Sequence, residues 1–466
     1  MYRPFGHATT ITMAPTTLSV PEIIQLVSAL SYDVSPFRHF AGIPLYEKRF
    51  KGDPVVRKLL DALAFFLHTR PHRGDHFAIT LSIVQAEIVA TVAANTPDNI
   101  THSDPSSPRV ILDTIWRHMV ACSGTAEKPR ENMQLATYVL ETHLPLLRSR
   151  LSKWRMCYES YRDRISRFRQ SGSLSAAVMD YIDGVDKIFC ATVAFSESTE
   201  TLSSRNISEF ATQIQLCKNL SKQSTKLDAT DRKLLSALQK LSGKGAGTTR
   251  YLDIIQFGEK LAAPLIHIDR VLYFCRTPKY QDSLTKPFRI RIPSNPPTPV
   301  DVPTRFDTLT KAEIAAFLRS SYMTIKWPYD DPETVTDAIE HFTGIAVDNV
   351  GKSRISGAHC ECLLMQHHHS EAHGEPIMAT YIGLSKPCCL QCGIFLDSYN
   401  LAVPNGPLFF VRGRNNHACP SVVPSIDAEL DASIVKNMRA RLIMLIAYIV
   451  DAYIKKIYAR SMGYIT

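Results

Sequence analysis

The chain has 466 residues, of which 45% are hydrophobic and 21% are charged, and its formal net charge is +9. This composition predicts a globular protein with room for two or three domains. The first residues, Met1 to His7, lack the basic-then-apolar pattern of a secretory signal. The most apolar run, Leu442 to Val450, falls short of the about 20 residues that span a bilayer, so it predicts a buried helix. We therefore expect an intracellular protein, cytoplasmic or nuclear, with no membrane partner.

Residues 1–290 have mostly helical periodicity and predict an all-α region. Pro21 opens one helix at its first turn, and Asp53 is the expected N-cap of another that begins at Pro54. No internal repeat of fixed period is visible.

The densest basic stretch of this region is a heptad pattern from Leu147 to Arg169. Arg148, Arg155, Arg162 and Arg169 recur at seven-residue spacing along one edge of its apolar seam. The favoured interpretation is a core helix with a solvated basic edge. The alternative is a row of arginines that contacts the phosphates of a nucleic acid.

Proline marks the next division of the chain. Residues 291–304 contain five prolines and predict a linker. After it we expect helices at 309–320 and 332–342, a short strand at Gly344 to Asp348, and a buried strand at Ile377 to Leu384. The predicted domains are thus a helical region at 1–290, the linker at 291–304, an α/β domain at 305–425 and a C-terminal helix at 426–466 packed on that domain.

Charge is shared unequally between the two halves. From residue 301 onward there are 15 Lys and Arg against 17 Asp and Glu, which leaves 38 against 27 for residues 1–300. The basic surplus therefore lies on the helical half, which favours that half as the surface for a nucleic-acid partner or a protein partner.

The most informative motifs are His359-Cys360-Glu361 and, after a gap, Pro387-Cys388-Cys389-Leu390-Gln391-Cys392. An H-x-E motif followed by C-x-x-C is the residue set of the zinc-dependent nucleobase deaminases. His359, Cys389 and Cys392 are predicted to bind Zn²⁺ through one nitrogen and two thiolates, which leaves the fourth tetrahedral position to water. Glu361 is predicted to move protons as the catalytic residue.

The spacing of these residues has physical reasons. Cys389 and Cys392 are three apart, so both sulfurs face the same way on the first turn of a helix. A helix N-terminus stabilises a thiolate through its free N–H groups and its dipole. Six of the 11 cysteines lie between residues 360 and 419, and the other five show no disulfide spacing. This distribution favours a reducing compartment and metal ligation.

Around these motifs the chain resembles the Orientia-type deaminase-like family, a mostly fungal and mostly uncharacterised family of the cytidine-deaminase-like superfamily. The resemblance rests on His359 to Glu361, on Tyr381 to Cys392, and on Phe409 to His417, and it covers roughly the last third of the chain. It implies an α/β fold, a three-layer cytidine-deaminase-like domain preceded here by the all-α region, and the zinc roles given above.

Two features depart from the commoner deaminase pattern. Cys388 lies between Pro387 and the first ligand cysteine, and Cys360 replaces a small apolar residue. These extra thiols leave a competing interpretation, in which Cys360 and Cys362 form a four-cysteine structural zinc site with the C-x-x-C pair. Helical residues two apart project about 200° from one another, so we favour the catalytic arrangement.

A second histidine-rich stretch, His367-His368-His369 with His373, lies close to the motifs. Its neighbours Ser370 and Gly374 favour a solvated loop over a metal site.

The motifs predict a hydrolytic deaminase that uses Zn²⁺ as its cofactor and acts on a nucleobase, cytosine before adenine, within single-stranded RNA or DNA. Two other hypotheses stay open. One is a catalytically inactive binding protein that keeps the zinc fold and works through its helical region. The other is a deaminase of free nucleosides or nucleotides, which the long basic appendage disfavours.

Overall fold

The structure is a computed structural model of the whole chain. It describes residues 18–31, 52–69, 76–95, 107–170, 175–197, 227–233, 254–293, 309–324, 331–349, 357–370, 374–403, 408–413, 419 and 421–461, together with 212. Most of the predicted linker, residues 294–304, lies outside the described residues.

The chain divides into two compact units. The middle unit is Asp53–Arg291, and the outer unit combines Met1–Gly52 with Ile292–Thr466. In the described residues both units carry helices and strands, so the protein is of mixed α/β type.

The middle unit has six helices and three strands whose bounds the structure describes. They are α2 (Pro54–Leu67), β1 (Phe77–Val84), β2 (Glu87–Ala94), α3 (Pro108–Ala121), α4 (Pro129–Gln170), α5 (Ala176–Glu197), α6 (Ile254–Arg276), α7 (Pro278–Leu284) and β3 (Phe288–Arg291).

The outer unit begins with α1 (Val20–Ser31), and its remaining described elements all follow residue 309. They are α8 (Lys311–Met323), α9 (Pro332–Asn349), α10 (Cys360–Ser370), β4 (Tyr381–Leu384), α11 (Leu390–Ala402), β5 (Phe410–Val411) and α12 (Ala428–Ser461).

The prediction of an all-α region before residue 291 is wrong, because β1 and β2 form an antiparallel hairpin. Phe77 pairs with Ala94 and Val84 with Glu87, and β3 runs parallel to β2 on its other side. The hairpin escaped prediction because its two-residue turn is Gln85-Ala86. Both residues have positive φ, +48° and +68°, a conformation that Asn-Gly usually supplies. The residue types that indicate such a turn are thus absent from the sequence.

Asp53 joins two parts of the middle unit. As predicted, it is the N-cap of α2, where its Oδ1 accepts a hydrogen bond of 2.8 Å from the backbone N of Val55. Its Oδ2 accepts from Lys279 Nζ at 2.7 Å and from the hydroxyl of Tyr280. These hydrogen bonds hold the pKa of Asp53 at about 2, against the burial that raises it. One carboxylate therefore ties the start of α2 to α7.

His143 is a fully buried titratable group in the core of the middle unit. Its ring stacks on Phe65, 5.1 Å between centroids, and Phe65 also stacks on His267 at 4.3 Å. Nδ1 lies 2.8 Å from the carbonyl oxygen of Val139, and Nε2 lies 3.3 Å from that of Phe65. Burial lowers the pKa of His143 to about 4, although these two carbonyls raise it.

The outer unit is built around α12, which contacts α11, α8, α1 and α9. The predicted long C-terminal helix is confirmed, and Leu442, Ile446 and Ile449 lie on its buried side. Arg441 on α12 forms an ion pair of 3.6 Å with the buried Asp397 on α11. None of the helices in the described parts of the chain combines the length and apolar character needed to cross a bilayer.

Two predicted strands in the outer unit need correction. The strand proposed at Gly344 to Asp348 is wrong, because α9 continues through it to Asn349. Its apolar side chains continue the helical spacing of Phe342 and the residues before it, and this period outweighs the short β-branched run. The strand expected at Ile377 to Leu384 is real but shorter, and β4 pairs in parallel with β5, Tyr381 opposite Phe410.

The shifted pKa of His143 predicts acid lability of the middle unit. The ordinary pKa is 6.5 and the folded value is about 4, so the unfolded state binds the proton first as the pH falls. Stability is therefore fully present above pH 6.5 and is lost between pH 6.5 and 4, by about 3 kcal/mol when integrated.

We expect His143→Phe, which keeps the ring stack, to flatten the fall in unfolding free energy between pH 7 and pH 4. Urea titrations followed by tryptophan fluorescence at four pH values measure this slope. At pH 7 the unfolding free energy of the variant should be lower by about 1 kcal/mol, because one hydrogen bond is missing. An unchanged slope in the variant contradicts the assignment to His143.

Candidate metal centre

Two helix N-termini meet at the predicted motifs. His359 lies directly before α10, and its carbonyl oxygen accepts hydrogen bonds of 3.0 Å from the backbone N of Cys362 and of Leu363. Cys389 is the N-cap of α11, and its sulfur accepts a hydrogen bond of 3.4 Å from the backbone N of Cys392. The two motifs thus present their side chains from the starts of two neighbouring helices.

The four side chains named from the sequence lie together. One ligand atom from each of His359, Glu361, Cys389 and Cys392 falls within 4.8 Å of all the others. His359 Nδ1 is 3.1 Å from Cys392 Sγ and 3.5 Å from Cys389 Sγ. Glu361, Cys389 and Cys392 are buried, and His359 is half-buried.

These distances and donor types fit a single tetrahedral ion. A nitrogen and a sulfur bound to one zinc at their usual bond lengths lie about 3.6 Å apart. The observed separations of 3.1 and 3.5 Å approach this value. One imidazole and two cysteines form a ligand set that binds zinc. Magnesium and calcium prefer oxygen ligands instead.

Electrostatics at the start of α11 favour a thiolate at Cys389. Contacts with Cys392, Cys419 and His359 lower the pKa of Cys389 well below its usual range, although burial raises it. The helix N-terminus works in the same direction. Burial raises the pKa of Cys392, so in the absence of a cation one of the two cysteines keeps its proton.

The pKa of the His359 imidazole responds to the neighbouring Cys389. Burial lowers its pKa, but the hydrogen bond and the negative charge of Cys389 raise it, and the net shift is upward. A bound cation requires the neutral imidazole, so ligation at this site competes with protonation.

The other motif cysteines lie around this cluster. Cys360 Sγ is 3.4 Å from Glu361 Oε2, Cys362 contacts Cys392, and Cys388 Sγ is 3.3 Å from the carbonyl oxygen of Cys389. All three are buried. In the part of the chain that the structure describes, the group of possible metal ligands includes none of them. The arrangement therefore does not match the competing four-cysteine site.

Sequence reasoning missed one close neighbour of the site, Cys419, whose side chain contacts that of Cys389. Two residues on, the backbone of Ser421 forms two hydrogen bonds with the side-chain amide of Gln391: Gln391 Nε2 donates to the Ser421 carbonyl at 2.6 Å, and Ser421 N donates to Gln391 Oε1 at 3.0 Å. The only signal in the sequence was the clustering of cysteines after residue 360.

The prediction of a solvated loop at His367 to His369 is wrong. These residues form the last turn of α10, and His367 and His368 are buried. His369 Nδ1 is 3.1 Å from the hydroxyl of Tyr399. The helix continues through these residues because its inner face is buried. The polar residue types alone do not indicate this burial. His373 lies outside the described residues.

The arginine row lies on α4 in the middle unit. The side chains of Arg148 and Arg162 are exposed, whereas those of Arg155 and Arg169 lie outside the described residues. The nucleic-acid role of this row stays a prediction.

Comparison with known proteins supplies one match. Residues 358–424 match a family model described as OTT_1508_deam-like deaminase. No curated protein and no solved structure matches the chain. The matched segment contains His359, Glu361, Cys389, Cys392 and Cys419, so it spans the whole cluster described above. Residues 358–424 are thus similar to a deaminase family of the cytidine-deaminase-like superfamily.

Proposed function

We propose that the protein is a zinc-dependent hydrolytic deaminase that removes an exocyclic amine from a nucleobase. The observation that carries the proposal is the convergence of His359, Glu361, Cys389 and Cys392 within 4.8 Å, inside the segment that matches a deaminase family. His359, Cys389 and Cys392 would hold the ion. When bound, zinc would act as a Lewis acid and lower the pKa of water towards neutrality.

Glu361 would act as general base and then as general acid. It would accept a proton from the attacking water, deliver it to the ring nitrogen, and assist the departure of ammonia. Its burial supports this role, because a carboxylate shielded from bulk water keeps the transferred proton at the reacting atoms. The imidazole and the thiolates would hold their positions through the backbone of the two helix starts.

The substrate we propose is cytosine before adenine, within single-stranded RNA or DNA. The support is the uneven charge, since residues 1–300 carry 38 Lys and Arg against 27 Asp and Glu. The proposed three-layer deaminase domain would then supply the chemistry, and the basic region would bind the phosphate backbone. Ammonia release by the zinc-loaded protein from free nucleosides, single-stranded DNA and single-stranded RNA tests this directly. Release from free nucleosides alone would favour the small-substrate alternative.

The metal site predicts about one zinc per chain, measured by mass spectrometry of the purified protein. We expect His359→Ala and the double change Cys389→Ala with Cys392→Ala to reduce the zinc content to near zero, because three ligands are the minimum of a catalytic zinc site. Full zinc retention in the double variant would contradict the assignment.

Cys388→Ser is the matched control for this prediction. Cys388 precedes the N-cap of α11, its Sγ lies 3.3 Å from the carbonyl oxygen of Cys389, and it is outside the group of possible metal ligands in the described chain. Zinc content should stay at the wild-type level. If Cys388→Ser empties the site and Cys389→Ser does not, the ligand assignment is off by one residue.

Glu361→Gln should keep the fold and the zinc and lose deamination by roughly 10⁴-fold, the upper end for a general acid–base group. Glutamine matches glutamate in size but cannot accept the proton. The rate is measured as ammonia release, and the zinc content is measured in parallel. Glu340→Gln, at an exposed position of α9, is a control with the same charge change. Zinc loss in the Gln variant would make Glu361 a ligand instead.

A second candidate is an inactive binding protein that keeps the zinc fold, and the exposed arginines of α4 favour it over a small-substrate enzyme. It would bind zinc normally and release no ammonia from any of the three substrate classes. A protein partner of the basic region would then be expected.

The arginine row predicts salt-dependent binding of single-stranded nucleic acid. Changing Arg148 and Arg162 together to Glu should weaken binding and lower the salt slope by about 1.4, the share of two phosphate contacts. Fluorescence anisotropy at several salt concentrations measures it. Arg109 and Arg117 on α3, both exposed in the same unit, give a control with the same charge change. Equal effects of the two double variants would contradict a specific role of the arginine row, since any loss of positive charge in this unit would then weaken binding equally.

A further inference from the structure

We propose that residues 421–425 form a strap that ties together the two helices whose starts carry the metal ligands, and that Gln391 is the positioning residue through which this strap holds the two ligand cysteines in place. The inference rests on the metal site of the proposed function and adds to it residues outside the ligand set.

The strap is joined to both helices by glutamine side chains. On α11, Gln391 Nε2 donates to the carbonyl oxygen of Ser421 at 2.6 Å, and Ser421 N donates to Gln391 Oε1 at 3.0 Å. On α10, Gln366 Nε2 donates to the carbonyl oxygen of Ser425 at 2.7 Å. The two acceptor carbonyls are four residues apart, and four residues of chain reach at most about 14 Å. The strap therefore limits how far α10 and α11 can separate.

The residues of the strap restrict its own movement. Its sequence is Ser421-Val422-Val423-Pro424-Ser425, and Pro424 is buried. The ring of Pro424 fixes its own φ and keeps Val423 in extended conformations. Directly after the strap, Ile426 N donates to Asp431 Oδ1 on α12 at 2.8 Å. The strap is thus a stiff link that is anchored on three helices.

Gln391 lies where it can act on both ligand cysteines. It is between Cys389 and Cys392 on the first turn of α11, and it is only 2% exposed. Within this turn Cys389 Sγ accepts a hydrogen bond from Cys392 N at 3.4 Å, so a shift of the turn would move both sulfurs relative to His359. Ligands that must first be brought into place bind an ion less tightly. The hold of Gln391 on Ser421 should therefore contribute to metal affinity.

The other end of α11 has the same kind of pairing. Asn400 Nδ2 donates to the carbonyl oxygen of Phe409 at 2.8 Å, Phe409 N donates to Asn400 Oδ1 at 2.9 Å, and both residues are buried. Asn400 lies about two turns beyond Cys392 on the helix. The two amides make the same bonds, but only Gln391 is on the turn that carries the ligands, so Asn400 is the matched control.

The test is the zinc dissociation constant of the full-length protein, measured by competition with a chromophoric chelator, with thermal unfolding of the zinc-free protein in parallel. Gln391→Met and Asn400→Leu each keep the side-chain size and remove two hydrogen bonds, so both should lower the melting temperature by a similar amount. Only Gln391→Met should weaken zinc binding, roughly tenfold, the lower end of the effect of groups that orient metal ligands. Unchanged affinity in Gln391→Met, or an equal loss in both variants, would overturn the positioning role.

Gln366→Met tests the other end of the strap. It removes one hydrogen bond from a half-buried side chain, so it remains informative if Gln391→Met fails to fold. Its zinc affinity should lie between those of the wild type and Gln391→Met. Wild-type affinity in Gln366→Met would overturn the role of the strap.

Cobalt substitution supplies a readout that a loss of stability alone would not move. In Gln391→Met the intensity of the thiolate-to-cobalt charge-transfer band per bound ion should stay at the wild-type level, because both cysteines remain. The d–d bands should shift, because the angles between the ligands change. Unchanged d–d bands would overturn the positioning role.

The outcomes separate this inference from the proposed function. A wild-type protein that binds no zinc would overturn the metal site and the role of the strap with it. A wild-type protein that binds zinc and releases no ammonia would overturn only the proposed reaction. In that case a lower zinc affinity in Gln391→Met than in Asn400→Leu would still support the strap.

Discussion

The candidate centre depends on the burial of thiolate charge at the meeting point of two helix N-termini. A buried anion is costly unless donors and a cation compensate it. Here the start of α11 supplies the backbone N–H of Cys392 to the sulfur of Cys389, and the start of α10 brings His359 within 3.5 Å of that sulfur. The cluster is therefore prepared for a cation, and the pKa shifts of Cys389 and His359 express the same preference.

Helix α11 organises the outer unit because nearly all of its surface is covered. Its residues from Gln391 to Asn400 are buried, so its polar side chains must find partners inside the protein. Gln391 binds the backbone of Ser421, Asn400 forms the same double hydrogen bond with the backbone of Phe409, and Asp397 pairs with Arg441. A single helix thus carries two of the proposed ligands, fixes the segments that follow it and anchors α12.

The fold of the outer unit was the more predictable of the two. Its long helices have a strong 3.6-residue periodicity, which predicts α12. The extents of the short strands β4 and β5 depend on pairing with each other, so the sequence does not predict them. In the middle unit the hairpin of β1 and β2 was missed because Gln85-Ala86 adopts a turn that its residue types do not announce. The cap at Asp53 was predictable, but its bonds to Lys279 and Tyr280 join residues more than 200 positions apart.

The sequence by itself determined the chemistry of the candidate site. H-x-E and C-x-x-C place the donor types at spacings that helix geometry makes useful, and they identify the four residues without any coordinates. Only the tertiary structure decided which neighbours surround them. It sets Cys419 against Cys389, Cys362 against Cys392, and Cys360 against Glu361. The reason is physical: local spacing determines which side chains share a helix turn, whereas contacts between distant segments follow from packing and from the pairing of buried polar groups.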